Sequence, residues 1–119
     1  MKLLTQPLRK QLLANGAAQR AAIDSGTDAL DFHPVVKLFT PDAQATWLLT
    51  ELDPADGDLA FGLCDCGLGE PELGYVSLAE LAGVRGPLGL PIERDMHFEA
   101  DKGLAAYSEE ARRRRRICT

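Results

Sequence analysis

The sequence has little of what marks several classes of protein. Its 119 residues include three cysteines, two histidines and only 6% aromatic residues. No apolar run approaches the ~20 residues of a membrane span, and three cysteines, two of them one residue apart, do not make a disulfide framework. Polar residues interrupt the N-terminal stretch MKLLTQPLRKQLL, so it lacks the apolar core of a signal peptide. We therefore expect a cytoplasmic protein with no membrane contact.

Charge is distributed unevenly along the chain. The net charge is −5, but five of the thirteen basic residues stand in one run at positions 112–116. Outside this run the chain has eight basic and eighteen acidic residues, so the body of the protein carries a net charge of −10. An acidic body disfavours a broad nucleic-acid-binding face, because that mode of binding needs many cations along the phosphates.

The N-terminal part of the chain predicts a helix followed by a loop. Apolar residues recur at helical spacing over positions 5–23, with Thr5 as the N-cap and Pro7 in the first turn. Gly16 weakens the middle of this segment, so two short helices are an alternative. The stretch AIDSGTDALDFHP that follows is rich in turn formers and predicts a surface loop.

The middle of the chain predicts strands. The runs VVKLFT, TWLLTEL, LAFGLCD and ELGYVSL are β-rich and are separated by the short turn formers PDA, PADGD and GLGEP. Ser77 and Glu80 make the pattern of a capping box for a short helix over residues 78–83. MHFEA, residues 96–100, predicts a last short strand, and LAAYSEEARRRRR predicts a C-terminal helix.

This order of elements predicts an α+β domain. We expect a mostly antiparallel sheet of four to five strands, with the N- and C-terminal helices packed on one of its faces. A single domain would span residues 1–119: an N-terminal helix and loop (1–30), a sheet core (35–100), and a C-terminal helix with a basic tail (103–119).

Three long stretches carry a family resemblance: VVKLFTPDAQATWLLTELDP, FGLCDCGLGEPELGYVSLAEL and GPLGLPIERDMHFEADK. With them the chain resembles the bacterial family catalogued as domain of unknown function 2958, which is common on plasmids and integrative conjugative elements. The resemblance implies a mobile-element setting and brings no activity or catalytic residues with it. Two features depart from the family pattern: Cys66 replaces an expected aliphatic residue, and residues 112–116 are more basic than the usual ending.

Acidic residues supply the first candidate site. The cluster at one predicted hairpin end comprises Glu51, Asp53, Asp56 and Asp58. Such a cluster can bind a hard cation such as Mg²⁺, but Asp-Gly turns and solvated strand ends give the same pattern. In LPIERDMHF, His97 beside Asp95 can act as a general base with an orienting acid, or can be a half-exposed histidine at a strand entry. The candidate catalytic residues are Glu51, Asp53, Asp95 and His97, but no complete catalytic motif accompanies them and no cofactor is expected.

Cys64 and Cys66 are the candidate metal ligands. On a strand they would share a face with Ala60 and Gly62. Two thiolates could take part in binding a soft metal, although a closed zinc site needs about four ligands. The alternative, which we favour, is that this small-residue face lets a helix pack close to the sheet.

The arginine run is the candidate binding site, made of Arg112, Arg113, Arg114, Arg115 and Arg116. Five cations exceed what the negative end of a helix dipole needs, and blocks of like charge are often interaction tails. Glu109 and Glu110 precede two of these arginines by four residues, a spacing that favours ion pairs. Few aromatic residues are available to stack on bases: we expect Trp47 in the core and Tyr75 half-buried.

Three functions remain open at this stage. The first is a non-enzymatic accessory protein that binds another macromolecule, with protein preferred over DNA. The second is a small metal-dependent or hydrolytic enzyme that uses the acidic cluster. The third is a weak nucleic-acid-binding module that works through residues 112–116.

Overall fold

A computed structural model describes residues 3–119; the first two residues of the predicted domain, Met1 and Lys2, lie outside the described part. The elements in chain order are helix α1 (Gln6–Asp24), strands β1 (Val36–Phe39), β2 (Thr46–Leu52), β3 (Leu59–Asp65) and β4 (Glu72–Ser77), helix α2 (Leu78–Gly83), strand β5 (Glu93–Arg94) and helix α3 (Leu104–Arg114). The strands form one antiparallel sheet in the order β4-β3-β2-β1-β5. The predicted α+β class is confirmed.

Helix α1 is continuous, so the alternative of two short helices is wrong. Thr5 caps it by accepting a hydrogen bond from the backbone N–H of Leu8 at 3.3 Å. Gly16 lies where α1 crosses β2: a Cβ at this position would overlap the carbonyl oxygen of Leu52. The glycine therefore permits close packing of α1 on the sheet instead of marking a break in the helix.

The two terminal helices cover opposite faces of the sheet, so the expectation of helices on one face is wrong. Leu12 of α1 belongs to a core cluster with Leu49 and Leu52. The neighbouring side chain of β2, Leu48, points the other way into a second cluster. That cluster contains Leu63 of β3 and Leu104, Tyr107 and Ala111 of α3. Strand β2 is consequently buried on both sides.

A β-bulge in β2 decides where Glu51 points. The register with β3 shifts between Leu49 and Glu51, which leaves Thr50 as the extra residue. The Thr50 carbonyl accepts a hydrogen bond of 2.9 Å from Asn15 Nδ2 of α1. Glu51 therefore lies opposite Phe61 and faces the α3 side of the sheet.

The last strand differs from its prediction. Residues 96–100 form no strand; the strand is the two-residue β5, which pairs with β1. The physical reason is a turn: the Asp95 carboxylate accepts a hydrogen bond of 2.9 Å from the backbone N–H of His97 and draws the chain away from the sheet.

Helix α2 begins as the sequence predicts. The Ser77 hydroxyl accepts a hydrogen bond from the backbone N–H of Glu80 at 3.2 Å. The Asp58 carboxylate adds a second cap by accepting a bond of 2.8 Å from the N–H of Ala79. Within residues 3–119, no helix combines the length and the apolar character needed to cross a membrane.

Candidate functional site

The four candidate catalytic residues lie in two separate places. Glu51 and Asp53 stand at the end of β2 and line a hollow beside α1. Asp95 and His97 follow β5 and line a different cavity, of about 540 Å³, with Lys37 of β1. No residue lines both spaces. The structure therefore does not bring the four side chains together as one catalytic set.

The cavity beside β5 is held by polar contacts within the chain. Lys37 Nζ lies 3.8 Å from Asp95 Oδ2 and donates a hydrogen bond of 2.6 Å to Thr119 Oγ1. Asp95 therefore forms an ion pair with Lys37 of the neighbouring strand β1. On the other wall, Lys102 Nζ lies 3.1 Å from Glu110 Oε1. The contact of Lys37 with Thr119 fastens the C-terminal segment to β1, and the contact of Lys102 with Glu110 ties α3 to the loop before it.

The cysteines have no cluster of further metal ligands around them in the described part of the chain. Among residues 3–119, no group of three or more histidine, cysteine, aspartate or glutamate side chains could hold a metal ion. Cys64 packs against the α1-side core, as the packing interpretation predicts, and burial raises the pKa of its thiol to about 11. Cys66 comes after β3 ends and is exposed, so the expectation that both cysteines share a buried strand face is wrong for Cys66.

The arginine run ends helix α3 and is exposed at every position. Arg115 adopts a left-handed backbone conformation, with φ of 61°, and ends the helix. The segment after it contacts the end of β3: the backbone N–H of Ile117 donates a hydrogen bond of 3.0 Å to Asp65 Oδ2. The ion pairs within residues 3–119 include none of these arginines. Glu110, which stands four residues before Arg114, pairs with Lys102 instead.

A groove on the α3 side of the sheet is the most developed candidate site. We call it the Glu51 groove. Its floor is the sheet surface, and its walls are the end of α1, the loop before β1 and the start of α3. It encloses about 360 Å³ and is lined by Gln19, Ile23, Ala29, Leu30, Asp31, Phe32, Thr50, Glu51, Phe61, Leu73, Tyr75, Leu104 and Ala105.

Local hydrogen bonds fix the walls of the groove. The Gln19 side chain holds the loop before β1 through both of its polar atoms. It accepts a hydrogen bond of 2.8 Å from the Leu30 N–H and donates one of 2.9 Å to the Leu30 carbonyl. The same loop meets α3 where the Asp31 carboxylate accepts 3.0 Å from the N–H of Ala105. The predicted surface loop is thus tied to two helices and forms one side of the groove.

Glu51 is a buried carboxylate at the floor of the groove. Its side chain is only 8% exposed, and the contact to Gln19 Nε2 is long, at 3.4 Å. Burial raises the pKa of Glu51, and the hydrogen bond from Gln19 offsets this only in part. A carboxyl group with a perturbed pKa in a largely apolar groove is a frequent mark of a binding site.

The rim of the groove exposes large apolar side chains. Their exposed fractions are 58% for Ile23, 44% for Leu30, 47% for Leu73 and 62% for Tyr75. The Tyr75 ring lies 5.0 Å from that of Phe61, so the ring leans on the sheet while most of it faces solvent. Tyr75 is therefore more exposed than the half-buried position expected of it, whereas Trp47 is in the core as expected.

Of the residues that line the groove, only Glu51 was a candidate in the sequence, and it was selected there as part of the acidic cluster. Ile23 lies at the edge of the stretch that predicts a surface loop, and Leu30 lies inside it. Their apolar character within that turn-rich stretch was the available signal, because a solvated loop does not need such side chains.

These features define a class: an α+β domain with a five-stranded antiparallel sheet, helices on both faces and an apolar groove beside the edge strand. A family model described as protein of unknown function (DUF2958) matches residues 3–118, and the chain belongs to this family, as its resemblance implied. No curated protein and no solved structure matched the chain.

Proposed function

We propose that this protein acts as a small accessory protein that binds another protein, and that the Glu51 groove receives the partner. The observation that carries the proposal is the convergence of four exposed apolar side chains, Ile23, Leu30, Leu73 and Tyr75, on one groove. Exposed apolar patches with polar rims are typical of protein-interaction surfaces. Aromatic anchors such as Tyr75 are enriched where partners bind.

The chemistry of the groove favours a peptide segment over a phosphate-bearing ligand. Glu51 lies in the floor, and Asp24 and Asp53 lie in the adjoining hollow with Arg20 as the counter-charge. Carboxylates repel phosphates, while an apolar segment that carries a basic side chain would satisfy both the rim and Glu51. A partner of this kind also fits the acidic body of the chain.

The setting is part of the same proposal. The family resemblance implies a plasmid or integrative conjugative element, and the place of action that we propose is the cytoplasm of the bacterium that carries it. An accessory protein of a mobile element would there meet proteins of the host or of the element itself.

Site-specific photocrosslinking tests the proposal. A photoreactive amino acid at Leu30, on the rim, is compared with the same probe at Leu88, which is 80% exposed on a different loop. In native-host lysate we expect a discrete adduct from the Leu30 probe and none from the Leu88 probe. The adduct is then challenged by filling the groove from the opposite wall.

Ala105 and Ala106 provide the matched pair for that challenge. Both are exposed residues of α3, but only Ala105 lines the groove. Ala105→Trp is expected to abolish the adduct and Ala106→Trp to leave it. An adduct that survives Ala105→Trp, or equal labelling from both probe positions, would refute binding in the groove.

The arginine run supports a second candidate, nucleic-acid binding. All five side chains are exposed, and the ion pairs found within residues 3–119 leave them out. Phosphate binding by this run would weaken steeply as salt rises. Duplex binding measured at two salt concentrations, for the whole chain and for a chain in which residues 112–116 are changed to glutamine, tests it. Indifference to both changes would rule it out.

The enzyme hypothesis has the least support. Its four residues occupy two places, and at one of them Asp95 already forms an ion pair with Lys37. A general base needs its partner and its substrate proton within hydrogen-bonding reach, and this arrangement does not provide that geometry.

A further inference from the structure

Strand β4 is an open edge of the sheet. It pairs with β3 on one side, and it is the terminal strand of the order β4-β3-β2-β1-β5. The opposite edge, β5, is only two residues long, whereas β4 has six. A short edge strand offers little for another chain to pair with, but a six-residue edge offers a full template.

The free backbone groups of β4 can be assigned. The backbone N–H of Leu78 donates to the carbonyl of Asp58 at 2.9 Å, and this bond continues the β3–β4 register. Because hydrogen-bonded and non-bonded pairs alternate in antiparallel strands, Gly74 directs its N–H and C=O toward β3. Leu73 and Tyr75 direct theirs outward, to the open edge.

The β4 edge has few of the devices that usually prevent edge pairing: its one charged side chain is Glu72, at the first position of the strand. The strand ELGYVS contains no lysine and no proline, and its register with β3 is regular. Leu73 and Tyr75 share one face and are both exposed. The edge thus combines free backbone groups with apolar side chains.

The edge is complementary to itself in the antiparallel direction. When Gly74 of one copy lies opposite Gly74 of another, Leu73 of each lies opposite Tyr75 of the other. These are the residues whose N–H and C=O point outward, so both pairs form backbone hydrogen bonds. Apolar side chains then meet across the contact on the same face. A side chain at Gly74 would meet nothing within 4 Å in one copy.

Charge favours the same direction. At the Leu73 end of β4, a hollow is lined by three arginines and two glutamates, a net charge of +1; these are Arg112, Arg113, Arg115, Glu70 and Glu72. At the Tyr75 end, the hollow has three carboxylates against one arginine, a net charge of −2; these are Asp24, Glu51, Asp53 and Arg20. An antiparallel copy brings the basic end of each chain alongside the acidic end of the other.

We propose that β4 pairs with β4 of a second copy of this chain, with Gly74 at the two-fold axis. The two five-stranded sheets then form one continuous ten-stranded sheet. This contact uses the strand edge and goes beyond the proposed function. It shares Leu73 and Tyr75 with the rim of the Glu51 groove, whose opposite rim, with Ile23 and Leu30, belongs to other elements.

Sedimentation equilibrium tests the pairing. Unmodified protein is expected at twice the 12.9 kDa chain mass, and Leu73→Lys at the single-chain mass, because the change adds the charge that protects natural edges. Leu88→Lys places the same charge on an exposed site elsewhere and is expected to leave the dimer intact. Circular dichroism establishes that each variant is folded.

A disulfide test examines the register without disturbing the apolar contact. In a background with Cys66 and Cys118 changed to serine, Gly74→Cys is expected to give a covalent dimer on mild oxidation. Leu68→Cys, on the exposed β3–β4 turn, is expected to stay monomeric. A single-chain mass for the unmodified protein, a dimer that survives Leu73→Lys, or equal oxidation of the two cysteine variants would overturn the proposal. A monomer that still gives the Leu30 adduct would leave the proposed function standing.

Discussion

Replacement of Gly16 by alanine tests the packing that holds the groove wall in place. Alanine is the better helix former, and in an exposed helix interior this change stabilises by about 1 kcal/mol. At Gly16, however, a Cβ would overlap the carbonyl oxygen of Leu52 and lie 2.9 Å from its carbonyl carbon. A backbone carbonyl cannot rotate aside as a flexible side chain can, so α1 would have to move away from β2.

The free-energy cost of that movement can be worked from the contacts. Overpacking of this kind typically costs about 1–3 kcal/mol. Retreat of α1 also stretches the 2.9 Å bond from Asn15 Nδ2 to the Thr50 carbonyl, which contributes about 1 kcal/mol. Against a helix gain of about 1 kcal/mol, Gly16→Ala should lower the free energy of unfolding by about 1–3 kcal/mol.

Urea denaturation measures the change. With a slope of about 1–3 kcal/mol per molar urea, the midpoint should fall by about 1 M. Ala17→Gly, at the exposed neighbouring position, is the control and should lose about 1 kcal/mol for the opposite reason, its lower helix propensity. A midpoint that rises in Gly16→Ala would show that propensity dominates and would refute the close approach of α1 to β2.

Three further outcomes follow from individual side chains. Burial raises the pKa of Glu51 above 4.5, so the folded protein loses stability as pH rises and this carboxyl group ionises. In urea titrations, Glu51→Gln should therefore gain stability relative to the parent between pH 4 and pH 7, by about 1.4 kcal/mol for each tenfold by which folding strengthens proton binding at this carboxyl group. A stability difference between the two proteins that does not change with pH would contradict this. The Ser77 hydroxyl lowers the pKa of Asp58 below 3.8. The parent should therefore be more stable than Asp58→Asn at pH 5, and this difference should vanish on further acidification. A stability difference that persists in strong acid would exclude this linkage. In thiol titration of the folded protein with Cys118 changed to serine, the fast phase should disappear in Cys66→Ser. Cys64, with its pKa raised to about 11, should react only slowly; a fast Cys64 would refute its burial.

The strands were predictable because their signals are local. LAFGLCD corresponds to β3 residue for residue, and the Asp-Gly turn before it stands where the sequence places it. The caps were predictable for the same reason: Thr5 and Ser77 each accept a hydrogen bond from a backbone N–H three residues ahead. Patterns that span a few residues are fixed by the chain's own geometry.

The arrangement of layers was predicted wrongly although its signal was present. TWLLTEL has apolar residues at adjacent positions 47, 48 and 49, and a strand with only one buried face should alternate. Leu48 and Leu49 pack into different core clusters, one under α3 and one under α1. The run therefore encodes two-sided burial, and two-sided burial requires a helix on each face.

The bulge at Thr50 had no comparable signal in the sequence. Strict alternation through β2 would turn Glu51 to the same face as Leu49, beneath α1. The extra residue turns it to the α3 face instead, beside Phe61. At the bulge, the Thr50 carbonyl accepts a hydrogen bond from Asn15, thirty-five positions earlier in the chain. A contact over that separation appears only in the folded chain.

The aspartates of the acidic cluster predicted from the sequence have separate structural roles. Asp53 accepts 2.8 Å from the N–H of Ala55 and lies 4.0 Å from Arg20. Asp56 accepts 3.1 Å from the N–H of Asp58, which itself caps α2. Each of these aspartates holds a turn or a helix end.

Glu51 differs from these aspartates. It caps no helix, and the ion pairs found within residues 3–119 do not include it. Its side-chain hydrogen bond from Gln19 is 3.4 Å long. Burying a carboxylate with so little compensation destabilises the fold, so stability does not account for its position. A basic group supplied by a partner in the groove would compensate this charge. For that reason we expect Glu51, rather than the acidic cluster as a whole, to contribute to partner binding beside the apolar rim.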